Sequence, residues 1–443
     1  MACDLLALLT TTDELADATS DRAWLAAMLR AEEALAGAEA EAGVIPAEAA
    51  AAIAGACDPA LFDPVSVARR GRRAANPVVP LVADLRAAAG PHAGPWAHWG
   101  ATSQDILDTA AMLVCRSALA IVERDLASLA ASGATLARTH RDTPMAARTL
   151  LQQAAPTTFG LKAAGWMVAA MDAGAGLARL RPRLAAQLGG AAGTMAALGP
   201  AGPAVLSRFA GDLGLAEPLL PWHTSRGRVA EIAAALAVAS GAAAKVALDV
   251  VLLSQSEVAE VSEREAGTSS AMPHKRNPSA AVTAIAAAHR ARGLTATVLG
   301  AMPQEHERAA GAWQAEWATL SDLLAAAGGA VAYSGRSLTN LDVHPGAMRA
   351  NLDRAGGVLQ AETVALALRR AGVPADVAAA AVGAAAARTA GGATFAGSLA
   401  SDPAVAGAIG GALDEALDEA THLRSAGSLV DRALRAYDKR EAP

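Results

Sequence analysis

Aromatic residues are scarce: four Phe, seven Trp and two Tyr make up 3% of 443 residues, although 53% of the chain is hydrophobic. The apolar content must come mostly from Ala, Leu and Val, which favours closely approaching helices over sheets built on β-branched and aromatic pairs. Cysteine is scarce too. Cys3, Cys57 and Cys115 are odd in number, far apart and without metal-ligand spacing. Neither a disulfide framework nor a zinc site is expected, and a reducing cytoplasm fits. Positive charge is nowhere concentrated. The net charge is -6 and the Lys and Arg residues are scattered, so the chain offers no electrostatic footprint for nucleic acid. The first residues, MACDLLALLTTTDELAD, carry Asp4, Asp13 and Glu14 and no basic region, which argues against a secretory signal. The uncharged run 184–207 is rich in Gly and contains Pro200 and Pro203, so it reads as a loop, and no segment is expected to enter a membrane.

A chain of this length exceeds one ordinary core and predicts two to four domains. Helical spacing covers 20–43 and 45–57, with Pro46 in a first turn, and DPALFDPVSVARRGRRAANP then interrupts it until a helix resumes near Val79. From Asp105 to about Arg141 the apolar residues recur at helical spacing with only Gly133 inside, which predicts one long helix. Partners of comparable length are predicted at 156–184, 228–265, 278–299 and 312–332. Past LDVHPGAMRANLDRAGG the helices shorten and Gly372, Pro374, Gly391, Gly392 and Pro403 punctuate them. The expectation is an all-α protein with an N-terminal helical domain over 1–104, a central helical bundle over 105–350 and a small C-terminal helical domain over 351–443. Its Ala-rich helix faces would leave apolar surface in water in a single copy, which points to a homo-oligomer.

Two stretches concentrate polar groups. HWGATSQDILDT, residues 98–109, stands where the long helix begins, so His98, Thr102, Ser103, Gln104 and Asp105 lie beside free backbone N–H groups. Taken alone it reads as a helix cap, with Asp105 favouring the dipole. GTSSAMPHKRNP, residues 267–278, offers Ser269, Ser270, Lys275 and Asn277 on a backbone shaped by Gly267 and Pro273. Such a loop can clamp a carboxylate and present a hydroxyl, and a plain turn has no need of Lys, Asn, two Ser and a His together. Gly189, Gly190 and Gly193 follow no strand and precede no Lys, so a phosphate cradle is excluded and close backbone packing is expected. His274, His289 and His306 lack a regular ligand spacing, and no metal or cofactor is expected.

Together these motifs resemble the fumarase/aspartase superfamily, whose signature loop Thr268 to Pro278 matches. The likeness runs the length of the chain in order: HWGATSQDILDT, ARTLLQQAAPTTFG, QLGGAAGT, SEVAEVSE and the loop. The resemblance implies an all-helical, three-domain fold, a homotetramer around a twenty-helix core, and active sites drawn from three subunits. It implies that Ser269 moves a proton on the carbon next to a substrate carboxylate. Lys275 and Asn277 would hold that carboxylate with Ser270 and Met272 beside them, and Thr102, Ser103 and Gln104 would lie across the pocket. A serine needs backbone donors and a nearby cation to act as a base, and the doubly charged aci-carboxylate needs fixed donors, which explains the composition of the loop.

Superfamily members that expel an amine need a general acid, and in adenylosuccinate lyase it is a His after Arg-Thr in the second motif. This chain reads Arg148, Thr149, Leu150. Leucine cannot donate a proton, so the departing group should leave unaided, as a carboxylate does. That resembles the carboxymuconate cycloisomerase branch, in which a substrate carboxylate adds to its own double bond to give a lactone. AANPVVPL, PWHTSR and MPQEHERAAGAWQAEW agree with that branch. A tricarboxylate needs several cations: Lys275, Arg226 and Arg308 are the candidates, with His98 and Gln153 as neutral donors. Arg226 and Arg308 read equally well as surface or intersubunit ion pairs. The alternatives are lyases of the same fold that release nitrite from a nitrosuccinate, or adenylosuccinate lyase with a displaced acid, and, from another class, a structural protein that has lost catalysis. Retention of Ser269, Lys275 and Asn277 argues against the last.

Overall fold

A computed structural model describes residues 4–265, 267–268, 272, 275–409 and 412–441. The helices that position the candidate site are α1 (Asp21–Glu41), α2 (Ala47–Ala56), α3 (Val78–Ala93), α4 (Ser103–Thr139), α5 (Phe159–Leu180), α6 (Gly202–Leu213), α7 (Gly227–Leu253), α8 (Ser279–Gly300), α9 (Ala312–Thr339) and α10 (Glu419–Glu441), with short helices between them. The fold is mostly helical, with one correction to an all-α reading. Three antiparallel pairs are present among the described residues: β1 (Pro144–Thr149) with β2 (Gln152–Thr158), β3 (Val261–Glu263) with β6 (Leu341–Val343), and β4 (Gly267–Thr268) with β5 (Arg276–Asn277).

The chain divides into two compact units: Met1–Ala127, Asp172–Ala244 and Val282–Gly335 form the first, and Ser128–Met171, Lys245–Ala281 and Arg336–Pro443 the second. In the first unit, α1 starts where the Ser20 hydroxyl accepts the Ala23 N–H, and its apolar stripe of Leu25, Leu29 and Leu35 is fully buried. The Trp24 indole donates to Ser321 on α9 at 2.6 Å. Gly328 and Gly329 on α9 are there for close approach. A Cβ on Gly329 would sit 2.1 Å from the Thr10 carbonyl oxygen, and one on Gly328 2.5 Å from Leu15, so the N-terminal segment lies directly on that helix. The 184–207 stretch is irregular only in its first part, since α6 begins at Gly202. Helix α7 is long and apolar enough to cross a membrane by length and composition, and 44% of its most apolar stretch is buried within the chain.

In the second unit the chain departs from the expected helix limits. Helix α5 begins at Phe159, because Pro144–Thr158 pairs as a hairpin and the Thr158 hydroxyl then caps the Leu161 N–H. Helix α7 stops at Leu253, and the residues after it turn to let β3 pair with β6, some 80 positions away in sequence. Gly133 lets α4 approach α5, since a Cβ there would lie 3.1 Å from Met167. The C-terminal short helices enclose their own cluster around Val364, Leu368, Phe395, Leu399 and Val405, and Arg141 grips Asp431 of α10 through two bonds of 2.8 and 2.7 Å.

Two acids on the buried stripe of α1 break the apolar pattern. Glu39 is fully buried and neither carboxyl oxygen has a partner among the described residues. Burial, reinforced by the charge of Glu32, pushes its carboxyl up to about 9. The folded chain therefore keeps this group protonated at neutral pH, whereas the unfolded chain ionises it. The associated stability is complete below the ordinary carboxylate range and is lost as pH rises toward 9. Glu39→Gln is expected to flatten that dependence and to gain roughly 2–4 kcal/mol at pH 8, read by urea unfolding at pH 5 and pH 8.

Candidate active site

In the first unit the candidate residues gather at the start of α4. Asp105, fully buried, accepts four hydrogen bonds: from the N–H of Thr102, Gly189 and Gly190 at 2.9 Å each, and from Nε2 of His223 at 2.7 Å. The first turn of the helix is thereby fixed to the glycine-rich loop and to the PWHTSR segment. The glycines serve close packing: a Cβ on Gly189 would meet His223 and Pro221 at 2.8 Å, and Gly190, at φ +69°, would meet the Gly100 carbonyl at 2.8 Å. Thr102 and Ser103 are half-buried at this helix start.

Gln104 is fully buried and all of its amide is engaged. Its Nε2 donates to the His223 carbonyl at 2.7 Å and to Asp108 at 3.1 Å, and its Oε1 accepts from Arg308 at 2.9 Å. Arg308 donates its other terminal nitrogen to the Ala191 carbonyl at 2.9 Å. Neutral acceptors alone hold this half-buried guanidinium, and among the described residues no carboxylate balances it. The charge is thus available to an anion.

Arg226 is differently placed. Its side chain is 2% exposed and lies between two buried carboxylates, Asp108 at 2.7 and 3.0 Å and Glu316 at 2.5 and 3.1 Å. The ring of Trp222 stacks on it at 5.0 Å. Trp313 donates to Asp108, and Gln304 donates to Glu316. Arg226 is thus an ion pair, but a buried one within the chain and not the surface or intersubunit pair that the sequence suggests. His98 is held at φ +62°, an uncommon backbone for a residue with a side chain, with Nδ1 2.6 Å from Glu32 of α1.

The remaining candidates belong to the second unit. Gln153, on β2 and exposed, donates to the Asn351 carbonyl at 3.2 Å. Its strand neighbour Arg148 forms a bidentate pair with buried Glu260 at 2.7 and 2.9 Å, and Asn351 donates to the same carboxylate at 2.7 Å. The hairpin ends in Leu150 and Leu151, at φ +51° and +65° and 96% and 75% exposed. This is the two-residue turn with both central residues left-handed that suits the strand twist and ordinarily takes Asn or Gly.

The signature loop is closed at its neck by Gly267 with Asn277 and Thr268 with Arg276. A Cβ on Gly267 would fall 1.9 Å from the Ser279 hydroxyl, so glycine is needed there. Glu263 secures the far end, accepting the Ala280 and Ala281 N–H groups at 3.0 Å each and the Ser337 hydroxyl at 2.7 Å. Lys275 and Met272 are exposed, and Asn277 is half-buried. Ser269 and Ser270 lie outside the described residues. Among the described residues no cluster of three or more His, Cys, Asp or Glu is placed to hold a metal ion.

Sequence reasoning did not single out Glu32, Glu260 or Glu263. For Glu32 a signal existed: together with Glu39 it occupies one heptad position of the stripe Leu25, Met28, Leu29, Leu35, Ala36, where an acid is out of place. Glu260 and Glu263 lie in the SEVAEVSE motif, but their partners are far away in sequence, so the motif does not show what they hold.

The chain belongs to the fumarase/aspartase family: the family model described as a lyase matches residues 8–293. Within that class it is similar to the 3-carboxy-cis,cis-muconate cycloisomerase of Bradyrhizobium diazoefficiens, at 47% identity over 371 residues that cover 82% of each chain. It is also similar to nitrosuccinate lyase of Streptomyces davaonensis, at 47% identity over 365 residues, 79% of this chain and 77% of that one. The fold matches the crystal structure of the 3-carboxy-cis,cis-muconate lactonizing enzyme from Pseudomonas putida with a TM-score of 0.91 at 39% identity, over 99% of this chain and 100% of that one.

Removing the guanidinium tests the buried triad. Arg226→Met leaves Asp108 and Glu316 without a cation, and stability should fall by about 3–5 kcal/mol in urea unfolding at pH 7. Burial already raises the Glu316 carboxyl above its ordinary range, so the loss should shrink on acidification, when that carboxyl takes up a proton.

Proposed function

We propose that the protein is a 3-carboxy-cis,cis-muconate cycloisomerase of protocatechuate breakdown. One carboxylate of the substrate adds through oxygen to a carbon of its own double bond. The displaced π electrons flow toward a second carboxylate, which becomes an aci-carboxylate, and Ser269 delivers a proton to the carbon beside it, giving 4-carboxymuconolactone. Nothing leaves the molecule, so the reaction is an isomerisation. Lys275, Asn277, Ser270 and the turn at Thr102 and Ser103 meet the developing charge, with Met272 packing beside them, Arg308 supplying a further cation and Gln153 a neutral donor. Gln104, buried with its whole amide engaged, orients Arg308 and does not touch substrate. Arg226 acts by bracing the α4 turn through Asp108.

The single observation that carries this reading is Leu150. It caps the β1–β2 hairpin, 96% exposed, at the motif position where adenylosuccinate lyase has its proton donor, and a carboxylate needs none in the reverse direction. Nitrosuccinate lyase activity is the second reading, favoured by the equal identity to the Streptomyces relative, because nitrite also departs as a stable anion.

We further propose a homotetramer working in the cytoplasm. It would bring candidate groups of different copies together and cover apolar surface such as the α7 face, Leu219 and Leu220, the last two being 100% and 75% exposed. Cys57 and Cys115 are free thiols, in keeping with a reducing compartment. Sedimentation analysis at micromolar concentration should give four chains' mass.

The assay offers each substrate separately. Loss of diene ultraviolet absorbance with carboxymuconate, without nitrite or fumarate from nitrosuccinate, is the expected result, and the reverse establishes the second reading. Ser269→Ala should lower kcat by about a thousandfold or more, and turnover within a few-fold of the parent would remove the serine from the chemistry.

A further inference from the structure

His98 and Glu32 form a pair whose chemistry goes further than a hydrogen bond. Glu32 is fully buried on α1, and one carboxylate oxygen lies 2.6 Å from His98 Nδ1, while the imidazole is 13% exposed. Where the carboxylate accepts this bond, Nδ1 carries the proton. In a neutral ring Nε2 is then a bare acceptor, which a substrate carboxylate would repel. Only the imidazolium presents an Nε2–H donor to an anion. The sequence suggests a neutral donor at this position, and the pairing with Glu32 offers the ring a charged form that donates from both nitrogens instead.

We propose that Glu32 is a positioning residue that holds His98 as a cation, so that Nε2–H binds one carboxylate of the substrate. This rests on the cycloisomerase reading for the identity of the substrate. The backbone is built for the task. His98 sits at φ +62°, and Arg86 of α3 donates through Nε and Nη2 to the adjacent Ala97 carbonyl at 3.3 and 3.1 Å, holding the strained turn in place. The charged groups that act on the ring are Glu32 from α1, Asp105 from α4 and Arg86 from α3. Burial alone would disfavour the imidazolium, but the two carboxylates outweigh burial and Arg86, and the ring is held above its ordinary range. Glu39, two turns along α1, stays protonated at neutral pH and adds no competing charge.

Glu32→Gln separates charge from position, because the Gln carbonyl still accepts from Nδ1 but no longer stabilises the cation. His98→Asn identifies the ring signals, and Glu32→Asp restores the charge. The imidazole of His98 should titrate above 6.5 in the parent chain, about one unit or more lower in Glu32→Gln, and near the parent value in Glu32→Asp, read by NMR of the histidine-labelled protein. With 3-carboxy-cis,cis-muconate at pH 7.5, KM should rise about tenfold in Glu32→Gln while kcat stays within about threefold. The pH at which KM begins to climb should move down with the ring's titration. An unchanged titration in Glu32→Gln overturns the proposal, and so does a loss confined to kcat with KM unmoved. Where carboxymuconate is not turned over at all, the cycloisomerase reading fails. The titration, repeated with tricarballylate as the anion, still decides the role of Glu32: an upward shift on binding in the parent and its absence in Glu32→Gln supports it, and equal behaviour of the two overturns it.

Discussion

One buried carboxylate, that of Asp105, sets the geometry on which the rest of the first unit's polar cluster depends. Four donors from three separate segments converge on it, which satisfies an ionised group that would otherwise be costly to bury. The arrangement fixes where α4 starts. Gln104, one residue earlier, then falls beside the His223 carbonyl, and Asp108, one turn later, falls beside Arg226. Arg308 is positioned in turn by Gln104 and by the carbonyls of the glycine loop that Asp105 anchors. Asp105 and Gln104, which orient the others, are themselves fully bonded, and that preorganisation is what charge stabilisation at a reacting carboxylate requires.

Much of this was legible in the sequence, for physical reasons that differ by element. Helices α1 and α4 could be placed within a few residues because their caps, Ser20 and the turn at Thr102, and their apolar spacing are local features. The hairpin over Pro144–Thr158 was hidden, because residues 156–158 were read as the start of a helix although Pro156 and two threonines suit a strand. The early end of α7 was hidden for another reason: β3 exists only through β6, and no local pattern announces a strand of three residues whose partner is so distant. At the site, the signature loop could be read as a motif, and the described part of it is a closed neck with Lys275 exposed beyond it. The carboxylates that orient the site were harder. Each is defined by what it touches, and a sequence shows an acid but not its partner.

The two substrate readings share almost all of this machinery. Carboxylate and nitrite both depart as anions, so neither demands a proton donor, and in both reactions the aci-carboxylate formed before departure must be stabilised by fixed donors. Specificity then turns on the number and spacing of the groups that meet the remaining carboxylates. A substrate with three of them asks for more positive charge than one with two, and the unbalanced guanidinium of Arg308 is a resource that serves the more highly charged substrate better.

The leucine pair at the hairpin tip carries an evolutionary consequence. Leu150 projects from the turn almost wholly into solvent and occupies a left-handed backbone that leucine tolerates poorly. Histidine is found in that conformation several times more readily. A single codon change at this position therefore meets no packing obstacle within the subunit and relieves backbone strain. The scaffold is one substitution from acquiring a proton donor at this tip, and with it the ability to evolve toward leaving groups that cannot depart unaided.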